Sequence, residues 1–343
     1  MRKPGLGGYQ SFRRQGFRGQ GRLALNKQFI ADMPATRSTR ARGSRRETVV
    51  RFGPAGWLYK DWEGIVYPRE KSKGFDPLRY IADFFDTVEI NSTFYGPPIP
   101  RTTTSWVNRV KDHRDFRFTA KLWKRFTHER DKAWTRGEVD QVRKGFDVMM
   151  EAGKLGAVLL QFPWSFKRSE ETREWLGDVV RTFSVYPLVV EVRHTSWLAP
   201  EFLESLEEQG VGFVNIDQPL YHKSIGPSTH VTSSVGYVRV HGRNYKDWFR
   251  EKATVEQRYD YLYKPSELEP WVERTREIAS SPGTGEVYVV TNNHYKGKAV
   301  ANALMMKSML SGAKVPAPPG IVDAYGDAVS DYAVAANDNA EVA

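Results

Sequence analysis

Eight short apolar runs recur along the chain: Val49–Gly53, Thr87–Asn91, Phe116–Lys121, Ala157–Phe162, Leu188–Arg193, Gly212–Asp217, Gly236–His241 and Val287–Asn292. Several are continuous rather than alternating, the pattern of parallel strands buried on both faces. Amphipathic segments separate them. Leu78, Ile81 and Phe85 share a helical face behind Asp76-Pro77, an N-cap followed by an N1 proline. Val139, Val142, Phe146 and Met149 repeat at helical spacing up to Gly153, and Trp175, Leu176, Val179 and Phe183 form a similar stripe. Phe202, Leu203 and Leu206 precede Gly210, and Ala299, Val300, Ala303 and Leu304 form the last stripe. Ser266-Glu267-Leu268-Glu269 reads as a capping box ahead of Trp271, Val272, Thr275 and Ile278. Strand and helix alternating eight times predicts an α/β fold, a single (β/α)8 TIM-type barrel rather than an open sheet. The unit after the sixth strand is irregular, because residues 218–235 carry Pro219, Gly226 and Pro227 and no helical stripe. A long insertion rich in Tyr and Trp, residues 243–265, follows the seventh strand.

The two ends lack this pattern. Residues 1–47 combine Gly, Arg and Gln without apolar periodicity and are expected to be a basic, disordered extension. They hold twelve Lys and Arg against Asp32 and Glu47, which accounts for the whole net charge of +10. The high pI is therefore a property of this extension and not of the body. Such a segment binds polyanions in a salt-dependent way, or is a non-functional leader to a chain starting at Met33. Residues 48–312 are expected to form the barrel. Residues 313–343 begin with Pro316, Pro318 and Pro319, end rich in Ala, Asn and Asp, and are expected to be a C-terminal tail. The chain has no cysteine, which removes disulfides, thiolate metal sites and a cysteine nucleophile, and fits a cytoplasmic setting. No apolar stretch approaches the roughly 20 residues of a membrane helix, so no membrane partner is expected.

In a barrel, inward side chains near the strand C-termini build the active site. Reading each run with period two places Glu89 and Asn91 on the second strand, Lys121 on the third and Gln161 on the fourth. Glu191 and Arg193 fall on the fifth, Asn215 and Asp217 on the sixth, Arg239 and His241 on the seventh, and Asn292 on the eighth. Unpaired charge inside a barrel costs several kcal/mol or more. Three acids, Glu89, Glu191 and Asp217, can be matched there by Lys121, Arg193 and Arg239. That set is either a structural ion-pair network closing the barrel mouth or a ligand site, and the ligand site is the favoured reading.

Several strings resemble the signatures of the YecE-like family, domain of unknown function 72. They are Val88-Glu89-Ile90-Asn91-Ser92-Thr93-Phe94-Tyr95, Leu160-Gln161-Phe162-Pro163, Val190-Glu191-Val192-Arg193-His194 with Ser196-Trp197, and Val238-Arg239-Val240-His241-Gly242. Thr127-His128 and Asn292-Asn293 match as well. The resemblance spans about residues 49–310 in the family's motif order. It implies a TIM-type barrel and no particular activity.

Glu191, Asp217 and His241 on consecutive strands also resemble the metal-ligand order of xylose-isomerase-like barrels. Asn292 stands where a further carboxylate would be needed, and Arg193 and Arg239 crowd the same space, so no metal or other cofactor is expected. The cluster instead suits an anionic small molecule or nucleic acid. Glu89, Glu191, Asp217 and His241 are the candidate acid–base residues. Asn91, Tyr95, Lys121, His128, Gln161, Arg193, His194, Trp197, Arg239, Arg243, Asn292 and Asn293 are the candidate ligand contacts, with guanidinium groups suited to carboxylate or phosphate. Trp57, Trp62, Phe94, Trp123, Tyr245 and Trp248 are further rings near the same loops. The function expected is an enzyme acting on a nucleotide, nucleic acid or phosphosugar by acid–base or phosphoester chemistry. The alternatives are a metal-independent sugar or sugar-acid isomerase or lyase, and a non-catalytic binding protein. No phosphate-cradling G-x-x-x-x-G-K loop and no G-x-S-x-G elbow is present.

Overall fold

The apolar runs settle as eight parallel strands in a computed structural model that describes residues 47–246, 250 and 252–336. The strands are β1 (Val49–Pro54), β2 (Thr87–Ile90), β3 (Arg117–Lys121), β4 (Leu155–Gln161), β5 (Leu188–Glu191), β6 (Gly212–Asp217), β7 (Val235–Val240) and β8 (Glu286–Thr291). The sheet runs β1-β8-β7-β6-β5-β4-β3-β2. It curls until its edge strands meet at a single bridge between Ala55 and Glu89, where the Gly56 N–H donates to the Glu89 carbonyl at 2.8 Å. Glycine makes this closure feasible: a Cβ at Gly53 would lie 1.8 Å from the Thr87 carbonyl oxygen. The result is a nearly closed TIM-type barrel wrapped by helices.

Helix boundaries follow local chemistry. The Asp76 side chain accepts from the N–H groups of Leu78 and Arg79 at 2.8 and 3.1 Å and starts helix Pro77–Ala82. Gly153 and Gly210, both with positive φ, follow the helices Arg136–Glu151 and Pro200–Glu208. The helix Pro265–Ser280 begins slightly ahead of the expected box: its Glu267 carboxylate accepts from the Lys264 N–H at 2.9 Å. No helix forms between β6 and β7, as the prolines and Gly226 in that stretch suggested.

The barrel interior is filled from below by large side chains. Tyr237 and Tyr288, paired across β7 and β8, are fully buried. Opposite them, β3 and β4 shift register by one residue at Phe118/Thr119, beside Gly156. A Cβ on Gly156 would fall 2.1 Å from the Tyr288 hydroxyl, so the ring occupies space that a side chain would need.

The expected C-terminal tail is corrected in part. Residues 313–336 continue as β9 (Val315–Ala317), a helix Pro319–Val329 and β10 (Ala333–Ala335), with β9 and β10 paired in parallel. Val315, Ala317, Ile321, Val329 and Ala333 are buried, and that apolar burial holds the segment in place. It packs on the loops after β1 and β8: the Tyr325 hydroxyl donates to the Lys296 carbonyl at 2.6 Å. Those two loops are themselves joined, since Trp62 Nε1 donates to the His294 carbonyl at 2.8 Å and Tyr59 stacks on His294 at 4.2 Å. The basic extension 1–46 and the ring of Trp248 lie outside the described residues. Among the described residues no helix is long and apolar enough to cross a membrane.

The packing of Tyr288 against Gly156 gives a direct expectation. Gly156→Ala should destabilise the protein by about 1–3 kcal/mol through overpacking, measured as a lowered urea midpoint with an unchanged slope.

Candidate functional site

Strand pairing decides which polar side chains face one another. Residues opposite each other on neighbouring strands share a face, and Glu89 pairs with Thr119, Gln161 with Glu191, and Ile216 with Arg239. Glu89, Lys121, Gln161, Glu191 and Arg239 therefore all point into the barrel near its C-terminal end, and Arg193, His241 and Asn292 continue the same faces just beyond β5, β7 and β8.

At the centre lies Arg239, fully buried. Its Nε and Nη2 donate to the two oxygens of Glu89 at 2.9 and 2.6 Å, and its Nη1 donates to Glu191 at 2.9 Å. Tyr237 adds a donor to Glu89 at 3.0 Å. Glu191 also accepts from Gln161 at 2.7 Å and from Arg193 Nε and Nη2 at 2.9 and 2.7 Å. His241 Nε2 stands 3.2 Å from Glu191, and its Nδ1 is 3.2 Å from the Asn292 carboxamide nitrogen. Arg193 Nη2 and Arg239 Nη1 also lie 3.4 Å from Nε2, so the ring is held from both sides. Lys121 differs from all of these. Its ammonium lies 4.5 Å from the centre of the Phe94 ring and pairs with no carboxylate among the described residues. Phe94 is also edge-on to His128 at 4.9 Å and to Tyr95 at 5.3 Å, which places those two rings and Asn91 at the rim.

A family model described as "Protein of unknown function DUF72" matches residues 51–321, nearly the whole described barrel. The chain belongs to the DUF72 family. A protein named UPF0759 protein YunF, from Bacillus subtilis (strain 168), is 27% identical over 280 residues, covering 76% of this chain and 95% of the relative. The crystal structure of a DUF72 family protein from Thermotoga maritima MSB8 is similar at a TM-score of 0.66 and 34% identity, over 77% of this chain and 99% of that one. A DUF72 family structure from Enterococcus faecalis V583 shares the fold at a TM-score of 0.66 and 24% identity, over 77% and 96% of the two chains.

Several expected site residues of this DUF72 protein lie elsewhere. Asp217 pairs with Val240, not with Arg239, and so faces out of the barrel. It is held there by Trp271 Nε1 at 3.0 Å, by the Tyr263 hydroxyl and by Arg243 at 2.8–3.2 Å. Arg243 is accordingly committed to Asp217, with Glu267 a further 3.5 Å neighbour. Asn215, on the same outer face, accepts from Ser228 and the His230 N–H at 2.7 and 2.9 Å. The physical reason is the missing helix after β6: a loop covers that face, and its polar backbone needs side-chain partners. Val214 and Ile216 take the inward positions. Trp197 is also corrected: it is fully buried, stacks on Phe166 at 5.1 Å and donates to the Phe166 carbonyl at 2.7 Å, leaving no surface for a ligand. His194 is a cap, its Nδ1 accepting from the Ser196 N–H at 3.2 Å. Asn293 is buried and donates to the Tyr261 carbonyl, tying β8 to the insertion after β7.

Asp217 and Arg243 thereby leave the ion-pair count of the mouth. Glu89 and Glu191 balance Arg239 and Arg193, and Lys121 is the surplus cation. Asp217's position also breaks the xylose-isomerase-like ligand order, and the remaining Glu191–His241 pair lies against two guanidinium groups. That arrangement does not suit a dication.

The electrostatics follow from burial and from the two arginines. Burial would raise the Glu191 carboxyl, but Arg239, His241 and Arg193 overcome it and hold it well below the ordinary carboxylate range. Burial drives His241 down to about 3 against the pull of Glu191, with Arg239 and Arg193 adding to the fall, so the imidazole is neutral at pH 7. Burial, then Arg239, brings Lys121 down to about 7 despite the attraction of Glu89 and Glu191. Tyr237 is raised by burial and by Glu89, and stays a protonated donor.

Breaking this network should cost far more than a surface pair. Glu191→Ala removes the carboxylate shared by Arg239 and Arg193, leaves Arg239 with Glu89 alone, and should lower stability by about 3 kcal/mol in urea titrations at pH 7. Because the folded Glu191 carboxyl is depressed, its contribution is complete above the unfolded pKa and is lost only as pH falls through the folded value. The wild-type advantage over Glu191→Gln should therefore persist at pH 5 and shrink in strong acid, as read from unfolding curves across pH.

Proposed function

We propose that this DUF72 protein binds a small ligand bearing a carboxylate or phosphate at the C-terminal ends of its strands and acts on it by acid–base chemistry. The observation that carries this reading is the inward, partly exposed Lys121, a cation in excess of the balanced Glu89–Arg239–Glu191–Arg193 network. An entering anion restores neutrality in a mouth where the low local dielectric strengthens the attraction. Nucleotides, phosphosugars and sugar acids share the required charge. Lys121, poised near 7, is the group suited to exchange protons with a ligand at physiological pH. Isomerase or lyase chemistry fits this arrangement better than phosphoester hydrolysis. Both buried carboxylates are committed to arginines, and neither is placed to activate water.

Thermal-shift titration with inorganic phosphate, sugar phosphates, nucleoside monophosphates and sugar acids tests the reading. A ligand at 100 times its Kd should stabilise the protein by about 2.7 kcal/mol. Lys121→Met should weaken that ligand about tenfold or more, as expected for one charged hydrogen bond. Affinity should fall as pH rises through about 7, because Lys121 then loses its proton. Equal binding by wild type and Lys121→Met, or a flat pH response, would count against the proposal.

A further inference from the structure

The described lysines differ in what holds their ammonium groups. Lys124 pairs with Glu129 at 2.8 Å and Lys307 with Asp86 at 3.1 Å. Lys154, which is buried, donates to the carbonyls of His113 and Arg114 at 2.6 and 3.3 Å and is a structural tether. Lys121 has neither kind of partner. It projects inward from the last position of β3, remains partly exposed, and rests against Phe94. The carboxylates nearest to it are already saturated: Glu89 accepts from Arg239 and Tyr237, and Glu191 from Arg239, Arg193 and Gln161. A desolvated amine beside fixed guanidinium cations and without its own counter-ion is the setting in which lysine serves as a nucleophile.

We propose that Lys121 condenses with an aldehyde or ketone that carries the anionic group, an assignment that rests on the reading given under Proposed function. The neutral amine nitrogen attacks the carbonyl carbon, the C–N bond forms, and the carbonyl electron pair moves to oxygen. Two protons reach that oxygen in all, it departs as water, and the C=N bond of the imine is completed. No oxidant or reductant is consumed. In its protonated form the imine carries the same single positive charge as the lysine ammonium, so the charge facing the anionic group is preserved. The two protons that the oxygen gains are those the amine nitrogen loses, relayed by solvent at the partly exposed mouth. The reactive form of Lys121 is populated at neutral pH because burial and Arg239 draw its pKa to about 7. An ordinary lysine near 10.4 holds on the order of 0.1% or less of that form at pH 7.

The test is reductive trapping on the full chain. Glyoxylate and glycolaldehyde phosphate, one a carboxylate and one a phosphate, are each supplied at pH 7 with cyanoborohydride. Modified lysines are then counted by peptide mass spectrometry over time. Lys121 should be labelled at least tenfold faster than the mean of the other lysines by one or both probes, and its advantage should narrow between pH 6 and pH 8, because an amine near 7 is mostly neutral by pH 8 while ordinary lysines keep gaining neutral amine about tenfold per pH unit. Labelling spread evenly over the lysines overturns the imine assignment. Lys121→Arg, with folding checked by circular dichroism, should lose the fast labelling, and phosphate stabilisation measured on the wild type separates the two proposals. If wild type shows phosphate stabilisation without fast labelling, the imine fails and the anion site stands. If it shows neither, both fail.

Discussion

A guanidinium in the middle of a barrel must be paired on nearly every side, and the position of Arg239 between Glu89 and Glu191 satisfies that demand. The two carboxylates come from β2 and β5 and the arginine from β7, so one side chain joins three separate arcs of the sheet. Tyr237 below and Gln161, Arg193 and His241 above complete the hydrogen bonding. Such a network is poor evidence of added stability over an apolar core, since desolvation offsets much of its attraction. Its effect is on geometry: bidentate pairing fixes the orientation of both carboxylates and leaves them with no freedom to reach Lys121. The reactivity assigned to Lys121 is thus a consequence of what its neighbours are already doing.

Much of this was legible in the sequence because period-two patterning and parallel-strand composition are strong signals. The eight runs, the irregular unit after β6, and the inward placement of Glu89, Lys121, Glu191, Arg239 and His241 all followed from it. The signal failed where polarity and facing part company. On β6 the polar face, Asn215 and Asp217, looks outward and the apolar Val214 and Ile216 look in, the reverse of the reading from polarity. Nothing in six residues reveals that reversal. It depends on the loop that replaces a helix, and on Trp271 and Tyr263 arriving from far along the chain. Trp197 misled for a related reason: a ring next to a charged strand end suits a core position and a stacking position equally well. Tyr237 was within reach, since it stands two residues before Arg239 on the same face, but a tyrosine within an apolar run reads as packing.

The C-terminal segment shows how proline and alanine content can mask structure. Residues 313–336 carry few long apolar side chains, yet Val315, Ile321 and Val329 at suitable intervals suffice when a surface already exists to receive them. That surface is formed by the helix Lys298–Ser311 and by the loops after β1 and β8, which meet at Trp62, Tyr59 and His294. The segment braces one side of the barrel mouth from outside. It has no counterpart in the eightfold alternation and is invisible to any rule based on it.

The seam between β1 and β2 has a further meaning. Every other neighbouring pair in the sheet is joined by a ladder, whereas these two strands share a single bridge at Ala55 and Glu89. A cylinder with one weak stave opens along that stave when it breathes. Glu89, clamped by Arg239, sits at the top of this line. The mouth therefore has a built-in direction of give, and slow amide exchange should report its two flanks parting before the rest of the wall.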